Sequence, residues 1–151
     1  MQIKVKTALA HEQQKENEAV KRELASIQEY IDNHIPDLEE ESIYFIPLQG
    51  NYMQIKRTML FAGVMISTMK KSVQGIKGTL RTQLVGYDAE VAKIQFKFPP
   101  EFLGSLDYAE GLPVHFQVPV RGLKEDAVIK SSSFQCTLED VEVLAGDKVE
   151  Y

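Results

Sequence analysis

Leu112, Val114, Phe116, Val118 and Val120 alternate without a break with Pro113, His115, Gln117, Pro119 and Arg121. A period of two over ten residues puts one set of side chains on each face of an extended chain. This commits the stretch to a half-buried β-strand. Ile94, Phe96 and Phe98 alternate in the same way with Lys93, Gln95 and Lys97. Phe134, Cys136 and Leu138 alternate with Gln135, Thr137 and Glu139, and Val141 and Val143 continue the pattern. Gly86-Tyr-Asp88, Pro99-Pro100, Gly104, Gly111, Gly122 and Gly146 punctuate these runs. Pro119 inside one of them implies an edge or a bulge. Five or six short strands at this spacing predict a small antiparallel β-barrel over residues 75–151.

The first half reads differently. Ala8 to His34 is rich in Ala, Glu, Gln, Lys, Arg and Leu, which predicts one long helix ended by Pro36. Val20, Leu24, Ile27 and Ile31 fall at steps of four, three and four, a narrow seam of the kind one helix shows to a partner helix. Asp37–Ser42 reads as an acidic turn or short helix, and Ile43–Leu48 as a short extended segment stopped by Pro47 and Gly50. Over residues 53–73, Ile55, Met59, Ala62, Ile66, Met69 and Val73 repeat at helical spacing. That spacing favours a second helix, with a buried strand as the alternative. Lys70, Lys71, Gly75 and Gly78 then mark a basic loop. The expected fold is α+β, with a helical arm and basic connecting segment over 1–74 and the barrel over 75–151.

Charge is unevenly spread. Residues 1–41 hold ten acids and five bases, residues 42–87 no acid and six bases, and residues 88–151 twelve acids and six bases. Lys70, Lys71, Lys77 and Arg81 are therefore candidate ligands for the phosphates of a nucleotide or other polyanion. The competing reading pairs them internally, against the acids of the N-terminal helix (Glu12, Glu16, Glu18, Glu23, Glu29) or against another subunit. Net charge is −5 and the strand aromatics alternate inward, which argues against a nucleic-acid platform.

No residue pattern carries catalysis. His11, His34 and His115 have no Cys or carboxylate pair at ligand spacing, so no metal site is expected. Ser131–Ser133 lacks the glycines of a nucleophile elbow. Cys136, the only cysteine, lies on an apolar strand face and cannot form an internal disulfide. Residues 1–25 show no signal-peptide pattern, and the run Met59–Ile66 is too short to span a bilayer. A cytoplasmic protein with no membrane insertion and no cofactor is expected.

Leu84-Val-Gly-Tyr-Asp88, the strand ending Lys97-Phe-Pro99, and Leu106–Val114 with its Glu110-Gly-Leu-Pro-Val114 entry resemble the small barrels of bacterial PilZ-type proteins and flagellar-brake N-terminal domains. The resemblance covers residues 75–145. Members that bind cyclic di-GMP carry an Arg-x-x-x-Arg loop and an Asp/Asn-x-Ser-x-x-Gly motif. Here the loop spacing is met by Lys77-x-x-x-Arg81, and the second motif is missing. The resemblance implies a divergent member acting through protein contacts without dinucleotide binding.

Together these readings lead to a non-enzymatic regulatory or adaptor module. It would self-associate through Val20, Leu24, Ile27 and Ile31 and meet a protein partner through the barrel. The alternatives are a polyanion-binding module using residues 70–81, and a structural subunit of a viral or secretion assembly.

Overall fold

A computed structural model describes residues 2–7, 17–34 and 38–145. In chain order the elements are β1 (Lys4–Val5), α1 (Glu18–His34), β2 (Ile43–Met53), β3 (Thr58–Ser67), β4 (Val73–Leu84), β5 (Glu90–Val91), β6 (Ile94–Phe98), α2 (Pro100–Leu103), β7 (Glu110–Arg121), β8 (Ala127–Lys130) and β9 (Phe134–Ala145). A single 3-10 turn, Ser131–Ser133, joins β8 to β9.

The strands form two sheets. The larger has the order β1-β7-β3-β2-β8, with β5 also on β7, and the smaller has the order β6-β4-β9. The larger sheet curls into half a barrel and the smaller stays open across it, so the expected closed barrel does not form. The reason lies on β7. Lys6 N–H donates to the Gly111 carbonyl at 2.9 Å and Ala92 N–H to the Pro119 carbonyl at 3.0 Å. The odd-numbered residues of β7 therefore turn their backbone groups away from β3, toward the side where a barrel would close. Pro113 and Pro119 stand at two of those positions and have no N–H to give. Beyond Ala92 the chain leaves β7, and β6 pairs with β4 from Ile76↔Phe98 to Leu80↔Ile94.

The segment 53–73 is not a helix. It holds the turn of a hairpin and the strand β3, which pairs with β2 on one side and β7 on the other. Phe61, Val64, Met65 and Ile66 are all fully buried. The outer face of β3 is apolar as well, so the strand loses polar alternation and reads as an apolar run, and this run happens to carry helical spacing. The basic stretch 70–81 is likewise not one loop, because β4 begins at Val73. Among the described residues the fold is thus mostly β with a single long helix, rather than a helical arm followed by a barrel.

α1 begins at Glu18. Asn17 Oδ1 accepts from Ala19 N–H at 2.8 Å and caps it. The earlier part of the expected helix, 8–16, and its stop at Pro36 lie outside the described residues. α1 does not project as an arm. Ile27 and Ile31 pack with Ile3, Val64 and Ile66 on the outer face of the larger sheet, forming a second, smaller core. The main core lies between the sheets and is centred on Phe61, with Phe45 at 5.4 Å and Phe134 at 4.5 Å between ring centroids.

Candidate functional site

The outer face of the larger sheet changes character along its length. At one end it presents Tyr44, Ile46, Val64 and Ile66, and α1 covers them. At the other it presents Asn51, Leu60, His115 and Gln117, on which α1 does not sit; Leu60 stays 43 % exposed. Among the described residues, the buried packing of the helix comes from its C-terminal half, through Ile27 and Ile31. Its N-terminal half, carrying half-buried Val20 and Leu24, overhangs two hollows. One, of about 360 Å³, is walled by Val20, Leu24 and Ile27 of α1, by Phe98 and Phe102, and by Pro113–His115 of β7. The other, about 270 Å³, lies beside it and runs over Leu60, Ala62 and Asn51. Glu23, Ile27 and Pro113–His115 border both. They form one cleft beside the point where β6 parts from β7.

The four seam residues thus divide. Ile27 and Ile31 are buried within the chain, whereas Val20 and Leu24 face the cleft. The sequence reading missed Phe98, Phe102 and Pro113 as cleft residues. The signal that could have found them is the pair of prolines at odd positions of β7, which marks an edge with a gap beside it.

The basic residues also divide. Lys70 and Lys71 lie in the β3–β4 turn. Glu41 N–H donates to the Thr68 carbonyl at 3.0 Å, and Thr68 Oγ1 to the Glu39 carbonyl at 2.6 Å, so the acidic segment Glu39–Glu41 runs beside that turn. Lys77 and Arg81 lie on the solvent face of β4. Lys77 Nζ is 2.9 Å from Glu142 Oε2, and Arg81 Nε is 2.5 Å from Glu139 Oε1. The acids that meet β4 come from β9, not from α1. A groove of about 520 Å³ lies beside Lys77, but Lys77, Lys97, Glu101 and Glu142 balance its charge.

Cys136 is half-buried and accepts or donates a long bond to Thr82 Oγ1 at 3.7 Å. Burial pushes its thiol up to about 11, against a smaller opposing effect from Thr82. The fold therefore holds the proton. That contribution to stability is fully present below the ordinary thiol value and is lost as pH rises through about 11. Two outcomes follow. Alkylation of the native chain at pH 8 should run roughly a hundredfold slower than that of a free thiol. Denaturant midpoints should fall from about pH 9 toward pH 11, and Cys136→Ala should lessen that fall.

Among the described residues, no group of three or more His, Cys, Asp or Glu gathers as metal ligands, and no helix is long and apolar enough to cross a membrane. Comparison of the chain with protein-family models, with curated proteins and with solved structures returns no match.

Proposed function

We propose that this chain is a non-enzymatic protein-binding module, an adaptor whose site is the cleft between α1 and β7. The observation that carries this reading is the overhang of α1. Val20 and Leu24 continue the seam of Ile27 and Ile31 and, among the described residues, line a hollow with Phe98 and Phe102. Apolar walls around a concave site with few charges suit the apolar side chains of a partner. The rigid sheet beneath and the anchored half of α1 hold the site open. The polyanion alternative has less support, because Lys77 and Arg81 on β4 each have a carboxylate beside them, while Lys70 and Lys71 lie outside that strand in the preceding turn.

The test is selection of a random peptide-display library on the intact chain. Peptides are expected to enrich and to lose about tenfold or more in affinity on Leu24→Lys. Leu24 is only half-buried and Ile27 and Ile31 still anchor the helix, so this variant should keep the wild-type circular dichroism. A library that does not enrich, or peptides indifferent to Leu24→Lys, would overturn the reading.

A further inference from the structure

Building on that reading, we infer that the cleft takes an extended peptide, which adds as a short strand to the outer edge of β7 and places a Lys or Arg beside Glu23. The argument starts from backbone groups. β1 occupies one end of this edge through Glu110 and Gly111, and β5 the other through Val120 and Arg121. Between them lie the Pro113 carbonyl and the N–H and C=O of both His115 and Gln117. Among the described residues none of these has a backbone partner, because β6 has turned to β4. A sheet edge left open in this way is a template for another chain. Pro113 and Pro119 bracket it and limit the added strand to about four or five residues at ~3.3 Å each.

The side chains then select. One face of an added strand would look toward Leu24 and Phe102, which asks for an apolar residue. Among the described residues, Glu23 is the one formally charged residue that lines either hollow, and it lines both. An acidic wall in an apolar cleft favours a basic side chain at its rim. The occupant is therefore a short extended segment with an apolar residue near a Lys or Arg.

Hydrogen exchange and the same peptide selection test this. In the free chain the amides of His115 and Gln117 should exchange fast, while those of Val114 and Phe116, which face β3, are protected. Protection of His115 and Gln117 without peptide would show that this chain already fills the edge, and would overturn the inference. Selected peptides should share an apolar residue and a Lys or Arg, and their binding should slow exchange at both sites. His115→Pro removes one donor at a position whose odd-numbered neighbour is already proline, and should weaken binding about tenfold or more, whereas His115→Ala should not. Glu23→Lys should turn the selected preference toward acidic peptides. Loss of binding with Leu24→Lys but not with His115→Pro would leave the cleft as the site and sink the strand addition. A doubled mass by light scattering that disappears with Leu24→Lys would identify a second copy as the occupant instead, and would sink it as well.

Discussion

Replacing Gly63 by alanine should destabilise the chain by about 3 kcal/mol, although it adds a single methyl group to a β-strand. A Cβ at that position would lie 2.1 Å from Cζ of Phe45 and within 2.8 Å of two further ring atoms. The ring has little room to swing aside. It is 8 % exposed and sits 5.4 Å from Phe61 and 6.1 Å from Phe116. Interiors at this density answer an added methyl by forcing side chains off their preferred rotamers. Chemical denaturation of Gly63→Ala measures the loss. Adding Phe45→Leu should recover part of it, since the smaller side chain vacates the space above residue 63. Additive losses in the double variant would show that the ring is not what alanine meets.

Ile31→Ala should cost about 3 kcal/mol as well, by a different route. Ile31 is 1 % exposed in the small core that joins α1 to the larger sheet. A lone helix of this length is marginal in water, so its order depends on that contact. The loss should therefore be local. Amide exchange along α1 should speed up strongly, while the amides of β3 and β4 keep their protection. Uniform acceleration across both sheets would show instead that the two cores unfold as one unit.

These two sites also show what could be read from the chain beforehand. α1 was legible because one face is solvated, so its apolar seam stands out against Glu, Lys and Gln. β7 was legible because exposed His115 and Gln117 alternate with buried Val114 and Val118 and half-buried Phe116. β3 was not, because its outer face is apolar too, covered by α1 only over Val64 and Ile66, and nothing polar marks the period. The short extended segment at Ile43 proved to run on to Met53. Pro47 and Gly50 do not stop it, since the register shifts between Pro47 and Gln49 and Gly50 lies against Met59 and Phe134.

The charge map is partly explained by pairing that no local pattern announces. β4 closes the acid-free stretch and β9 carries part of the acidic tail, and the two are neighbours, with Lys77 opposite Glu142. Such exposed pairs add little stability, about 0–1 kcal/mol each, but they offset the segregation seen along the chain. The cleft was the least legible part. Its walls come from α1, the β6–α2 junction and β7, and only the folded sheet brings them together.

The pairing of β3 with β7 also sets the order in which the molecule can assemble. β2 and β3 are joined by a short turn, and a hairpin of this kind forms in roughly 1–10 μs. β7 must then reach β3 across all of β4, β5, β6 and α2, pairing Ser67 with Glu110 and Thr58 with Pro119. A contact of such sequence separation pays its loop-closure entropy before it gains anything. Refolding should accordingly fall in roughly the millisecond-to-second range typical of non-local β topologies. During that interval the far edge of β3 stands unpaired, so the early hairpin is the species a chaperone or an aggregate would meet first.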